Sequence, residues 1–273
     1  MKYLKDLRFI FSGSVILIII CMAVFATWIA PRDPLEIDTR QSLKPPSSEH
    51  IFGTDEYGRD ILSRVIFGSR VSLLVAFTSI TSAAIVGTSF GVIGGFYSGW
   101  IDSIIMRFMD VVLCFPPIIL GIMIVGFLGP GIQNLILVIS ILYVPYFARI
   151  AYGSTLSIKS KEYVDASRVI GATDFHLIRR SILPNILAPI IVQISLGSAS
   201  VVLLESGLSF LGLGVVPPTP SWGLMIGDGR GYMLISPWYV LWPSIALALT
   251  ILAINTFGDS LRDILDPTIR SQI

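Results

Sequence analysis

Glu162-Tyr163-Val164-Asp165-Ala166-Ser167-Arg168-Val169-Ile170-Gly171-Ala172-Thr173-Asp174-Phe175-His176-Leu177-Ile178-Arg179-Arg180-Ser181-Ile182-Leu183-Pro184 is a polar, punctuated stretch set between two long apolar ones. Its pattern predicts helix, break, helix. Tyr163, Ala166 and Ile170 fall on one face of the first helix, and Gly171 suits a left-handed C-terminal cap. Thr173 or Asp174 is placed to cap the second helix, whose apolar side is Leu177 and Ile178. Arg179 and Arg180 lie near its C-terminus, where the helix dipole favours cations. Pro184 marks the start of the next apolar run. Small residues at Ala166, Ser167, Gly171 and Ala172 leave room for another protein to approach closely. Periodicity alone is equally compatible with a solvated loop that has no partner.

The apolar surroundings decide the class. The 273 residues are 53% hydrophobic and 14% charged, with mean hydropathy +0.80, whereas soluble domains carry about 25% charged residues. The chain is read as an all-α polytopic membrane protein. A net charge of +1 argues against a nucleic-acid surface, which would show clustered Lys and Arg over a large face. Cys21 and Cys114 each lie inside an apolar run, which argues for inert thiols and against a structural disulfide.

Six apolar windows are long enough to cross about 30 Å of hydrocarbon. The first, Phe9 to Ala30 after Lys2, Lys5 and Arg8, is too long for the apolar core of a signal peptide and is read as an uncleaved span. The others are Val71 to Phe96, Ser103 to Leu128, Ile132 to Arg149, Asn185 to Leu204 and Trp238 to Phe257. Gly129-Pro130-Gly131 separates the third from the fourth by a tight turn. With both termini in the cytoplasm, the short inner connections hold Arg107, Arg149, Lys159, Lys161, Arg168, Arg179, Arg180, Arg262 and Arg270. The outer positives between Ala30 and Val71 are matched by acids. That orientation puts the 162–184 stretch in the cytoplasm.

The expected organisation is therefore a cytoplasmic N-terminus and first span over residues 1–30, then an extracytoplasmic loop over 31–70. That loop ends in an amphipathic interfacial helix carrying Ile61, Leu62, Val65 and Ile66, which either anchors the second span or docks a receptor. A five-span core follows over 71–258, with cytoplasmic helices at 160–182, and a cytoplasmic tail over 259–273. Gly87, Gly91 and Gly95 recur every four residues in the second span and point to close helix packing. Pro116-Pro117, Pro145, Pro189 and Pro243 bend their spans, either as ordinary irregularity or around a passage that opens.

Charged groups at membrane depth are few. Arg107 and Asp110 are spaced to pair on one helix face, and Glu205 near the outer end of the fifth span either reaches water or faces a passage. Trp222, Trp238 and Trp242 are expected at the outer headgroups. His50 and His176 are far apart in topology and read as solvated side chains, so no metal site is expected.

Asp165-Ala166-Ser167, Gly171 and Leu183-Pro184 resemble the EAA loop of ABC-importer membrane subunits, with Asp165 in place of Glu and Ser167 in place of the second Ala. The similarity extends to His50 through Asp60, Phe210-Leu211-Gly212-Leu213-Gly214, Pro220-Ser221-Trp222-Gly223, and Gly258 through Asp263 with Asp266-Pro267. These look like the second permease of the dipeptide/oligopeptide/nickel importers. The resemblance implies a type I importer fold in a prokaryotic plasma (inner) membrane, embedded in lipid. It further implies a homologous second permease as heterodimer partner, an extracytoplasmic binding protein and two cytoplasmic ATPases. On it, Glu162, Asp165, Ala166, Ser167, Gly171, Ala172, Leu183 and Pro184 form the ATPase contact, and Asp110, Pro116, Pro117 and Glu205 are candidates for the pathway or its gate. The chain binds no cofactor on this reading. No Lys follows a Gly, so no Walker A loop exists, and ATP with its Mg belongs to the partner ATPases. The cargo is a di- or oligopeptide, with nickel, its chelate or an opine as alternatives. A secondary transporter would instead show midplane charges and internal repeats. An intramembrane enzyme would need a nucleophile–base or paired-carboxylate constellation, which no span carries.

Overall fold

A computed structural model describes residues 7–265. Eleven α-helices are present among them: α1 (Leu7–Val24), α2 (Ala26–Ile29), α3 (Ile61–Tyr97), α4 (Trp100–Leu113), α5 (Pro117–Leu128), α6 (Ile132–Lys159), α7 (Glu162–Val169), α8 (Asp174–Leu177), α9 (Leu183–Phe210), α10 (Trp222–Gly229) and α11 (Pro237–Leu265). Lys2, Lys5, Asp266-Pro267 and Arg270 lie outside the described residues. Five stretches are each long and apolar enough to cross a membrane, and the α4–α5 pair makes a sixth if counted as one broken span.

The centre of the bundle is the contact between α3 and α6, with α9 and α11 packed around it and α1 on the outside against α11 and α3. Gly87, Gly91 and Gly95 lie directly on α6: a Cβ at Gly87 would meet the Val144 carbonyl, at Gly91 the Ala148 carbonyl, and at Gly95 the Thr155 side chain. Lipid tails are as apolar as leucine, so burial by itself drives no association here. The stripe therefore works through backbone proximity and dispersion. Val75, Ile80, Val138, Ile139, Phe147, Val201 and Leu208 fill the rest of this core. The outer faces stay apolar, with Phe11, Phe77 and Phe127 largely exposed to what would be hydrocarbon.

Four boundaries differ from the sequence reading, the first three for identifiable physical reasons. First, α3 starts at Ile61 and runs unbroken for 37 residues. The amphipathic stretch is its opening two turns and not an interfacial helix, because Ile61 and Val65 are buried against Trp222, Met225 and Tyr239, and Ile66 is buried as well. Second, the third span is broken outright: α4 and α5 meet at 91°. Pro117 forces Pro116 out of the helical region, to ψ 129°, and itself begins α5. Third, α9 does not begin at the bilayer. Asp174–Phe210 is one continuous 37-residue helical stretch, about 55 Å long at 1.5 Å per residue. It includes a π-turn over Ile178–Ile182, closed by the Leu183 amide donating to the Ile178 carbonyl. Pro184 lacks an N–H and crowds the carbonyl four residues back, so the wider turn relieves that clash. Similarly, α11 extends past Phe257 to Leu265, so the first part of the presumed tail is helical.

Candidate functional site

At one end of the bundle, α6 projects ten residues beyond Arg149 and hands the chain to α7. A Schellman motif closes α7: the Gly171 amide donates to the Arg168 carbonyl at 3.0 Å and the Ala172 amide to the Ser167 carbonyl at 3.1 Å. Gly171 has φ +91°, a conformation that side chains with a Cβ rarely adopt. Thr173 then caps α8, its hydroxyl accepting from the His176 amide at 3.3 Å. Of the two possible caps, the structure uses Thr173.

Val164, Leu177 and Ile182 are buried and bind this hairpin to the bundle. Ala172, Ile178 and Leu183 pack against the same core from its edge. Glu162, Asp165, Ala166, Gly171 and Pro184 are exposed, while Ser167, Ala172 and Leu183 are half-buried. Val169, Ile170 and Phe175 are 87%, 86% and 71% exposed. The sequence reading put Ile170 on an apolar face without distinguishing inward from outward, and missed Val169 and Phe175. The result is an apolar knob with acidic and basic flanks. α8 passes into α9 without a break, so Phe175 lies in the first turn of a 37-residue helical stretch that runs into the bundle.

The other candidate residues do not form one cluster. Asp110 pairs with Arg149 of α6 at 2.5 Å, not with Arg107. Its neighbour along the same groove, Asp102, accepts from the Tyr152 hydroxyl at 2.9 Å, so two polar clamps hold α4 along α6. Glu205 does not reach water: it is fully buried, accepting from the hydroxyls of Ser206 at 3.1 Å and Ser209 at 2.8 Å. Ser209 sits one turn on and Ser206 beside it, so the helix supplies its own donors to the carboxylate. Pro116 and Pro117 lie at the 91° corner, and the exposed side of α5 beyond them is uniformly apolar: Ile118, Ile119, Ile122, Met123 and Phe127.

At the opposite end, residues 30–60 and 211–236 fold into a cap. Here the motifs at 50–60, 210–214 and 220–223 converge. Asp55 accepts from the amides of Tyr57 and Arg59 at 2.9 Å, from Arg59 Nε at 2.6 Å, and lies 3.3 Å from Arg64 Nε. Arg64 is buried and also donates to the Pro34 carbonyl at 3.1 Å. Asp60 caps α3 through the Ser63 amide at 2.8 Å and holds His50 Nδ1 at 2.9 Å. His50 is thus buried, contrary to the solvated placement expected from its loop, while His176 is exposed. Trp222 is also fully buried, its indole N–H donating to the Val65 carbonyl at 3.0 Å, and so is not at a headgroup surface. Trp242 stacks on Phe52 with ring centroids 3.9 Å apart. A Cβ at Gly223 would strike the Ser206 backbone, and one at Gly214 the Ser209 side chain. The Gly and Trp of these motifs are there for close packing between α3, α9 and α10. Asp228 on α10 is held above the ordinary carboxylate range by burial and then by the charge of Glu56, with Arg64 and Arg59 opposing.

Comparison with known proteins agrees with this arrangement. Residues 87–271 match the family model described as binding-protein-dependent transport system inner membrane component, and residues 2–46 match the N-terminal TM domain of oligopeptide transport permease C. The dipeptide transport system permease protein DppC of Alkalihalophilus pseudofirmus is 42% identical over 99% of this chain and 89% of its own. A probable D,D-dipeptide transport system permease protein of Escherichia coli K12 is 41% identical over 94% of this chain and 86% of its own. The glutathione transport system permease protein GsiD of Pectobacterium atrosepticum is 38% identical over 99% and 90%. In fold, an inward-facing structure of the MetNI methionine ABC transporter superposes with TM-score 0.63 at 19% identity, covering 76% of this chain and 98% of that one. A multi-span helical bundle with a type I importer fold, matched by a transport-family model over two thirds of its length, belongs to the family of binding-protein-dependent transport system inner membrane components.

Proposed function

We propose that this chain is one of two homologous permeases in an ATP-driven importer for di- or oligopeptides, and that the 162–184 hairpin seats in a cytoplasmic ATPase. The carrying observation is the exposed knob of Val169, Ile170 and Phe175 on a rigidly capped hairpin that continues directly into α9. Exposed apolar side chains outside the membrane need a partner surface. Both termini and the hairpin lie in the cytoplasm, and the cap faces a substrate-binding protein on the other side. Relatives named for dipeptide, D,D-dipeptide and glutathione transport support peptides over nickel as cargo.

In mechanical terms, closure of the two ATPases on ATP displaces the hairpins, and each displacement passes along α9 toward α10 and the cap. At the α4–α5 corner the helix is interrupted at Pro116-Pro117 and turns by 91°, so this corner is the natural place for the passage to open. Hydrolysis, with its ATP and Mg, takes place in the partners.

Gly171→Leu tests the coupling. A Cβ at Gly171 has nothing within 4 Å inside the chain, so only the φ of +91° and the approach of a partner oppose the change. The variant complex should assemble in the membrane but lose ATP-dependent uptake of a radiolabelled dipeptide, whereas Gly171→Asn, which tolerates the left-handed region, should keep most of it. Full uptake by Gly171→Leu would sink the assignment.

A further inference from the structure

A groove of about 690 Å³ opens on the side of the bundle between α1, α3, α9 and α11. Its walls are hydrocarbon, with Ile20, Leu73, Phe77, Ile194, Ile254 and Phe257 among them. Two of its hydroxyls are turned back onto their own helices: Ser198 donates to the Ile194 carbonyl at 2.6 Å and Thr250 to the Ala246 carbonyl at 2.7 Å. All four helices are membrane spans by length and composition. Water gains nothing in such a groove, so hydrocarbon must fill it.

One charged residue lines it. Arg70 lies at the cap-side end, where its Nε donates to the Ala23 carbonyl and its Nη2 to the Val24 carbonyl, both at 3.0 Å. These are orphan carbonyls of the last turn of α1, and they fix the guanidinium in place without neutralising it. No carboxylate lies within ion-pair distance of Arg70 among the described residues. Arg70 directly precedes the charge-free apolar window that begins at Val71 and is held at the C-terminal end of α1, which places it at headgroup level.

We propose that this groove is a phospholipid site, with an acyl chain laid between α1, α3, α9 and α11 and the phosphate on the Arg70 guanidinium. A fixed, unpaired guanidinium above a dry apolar groove matches the two halves of that molecule. A helix of the second permease would fill the groove but would bring Arg70 an anion only through an added carboxylate. The side of the membrane concerned follows from the orientation proposed above, whereas the site itself does not depend on transport.

The test uses the assembled importer, purified in detergent and supplied with dioleoylphosphatidylglycerol or dioleoylphosphatidylcholine, with retained lipid counted by native mass spectrometry. Wild type should retain phosphatidylglycerol. Arg70→Gln should lower that retention about tenfold, the loss of one charge-assisted contact, and Arg70→Lys should preserve most of it. Ser198→Phe, which fills the groove floor, should abolish retention of both lipids. On the unmodified complex, phosphatidylglycerol bearing a photoreactive acyl chain should label peptides containing Phe77 or Ile194. Equal retention by wild type and Arg70→Gln would overturn the proposal, as would labelling confined to other peptides. Cross-linking of a Phe77→Cys variant to the second permease would instead assign the groove to that partner and overturn it equally.

Discussion

The indole N–H of Trp222 donates to the carbonyl of Val65 at 3.0 Å, across 157 residues of sequence, and so fastens the cap to the second turn of α3. Trp222 is fully buried among Ile61, Val65, Met225 and Tyr239. Trp222→Phe keeps most of the packing but loses a hydrogen bond of about 1 kcal/mol. It should lower the melting temperature of the purified complex by a few degrees. Trp222→Ala adds a cavity costing about 3–5 kcal/mol and should prevent assembly, read as loss of co-purifying subunits. Equal melting of wild type and both variants would refute a fastening role.

The contact of α3 on α6 leaves no room at Gly91, where even a Cβ would meet the Ala148 carbonyl and the Ala151 side chain. Gly91→Leu should therefore strip the protein from the membrane fraction, through overpacking of several kcal/mol. Ser89→Leu, two residues away on the exposed side of the same helix, is the control and should accumulate normally. Immunoblots of membrane fractions distinguish the two.

Asp110 and Arg149 join α4 to α6 with side chains 53% and 56% exposed. Half-exposed pairs of this kind contribute about 0.2–1 kcal/mol. Asp110→Asn and Arg149→Gln should each lower stability slightly, and the double variant should cost no more than either single one. Swapping the two charges should restore the wild-type melting temperature, and full additivity in that cycle would show that the pair does not couple.

Asp228 is held above its ordinary pKa by burial and by Glu56, against Arg64 and Arg59. The folded protein therefore binds more protons than the unfolded chain between the ordinary carboxylate value and the raised one. This contribution to stability is fully present below the ordinary value and is lost as pH rises through the raised one. Asp228→Asn should flatten that part of the melting-temperature profile and gain relative to wild type toward neutral pH. An unchanged profile would mean Asp228 is solvated.

The capped helix–break–helix at 162–184 was legible because local chemistry dictates it: glycine suits φ +91° at position 171, and Thr173 carries its own capping oxygen. The outward turn of Val169 and Phe175 was not, because it depends on where the hairpin docks on the bundle. The glycine stripe was legible for a related reason, since a repeat of four in an apolar helix has one economical use. Other features depended on partners that are remote in sequence. Arg64 and Arg70 look like the end of a span until Asp55 and Pro34 are seen to hold the first, and the Ala23 and Val24 carbonyls to orient the second. Asp110 has an equally spaced candidate in Arg107, and only the lie of α4 along α6 selects Arg149.

The sequence by itself determined that this is a membrane bundle with a capped, glycine-jointed hairpin and no Walker A loop, because hydropathy over 20 residues, backbone permissiveness and motif spacing are properties of neighbouring residues. Tertiary structure alone decided that the hairpin and the fifth span are one rod, that the third span breaks at a right angle, and that Glu205, His50 and Trp222 point inward. Those outcomes rest on which donor or packing surface reaches a given side chain from another helix, and in a membrane, where hydrocarbon offers no alternative partner, that choice dominates the energy.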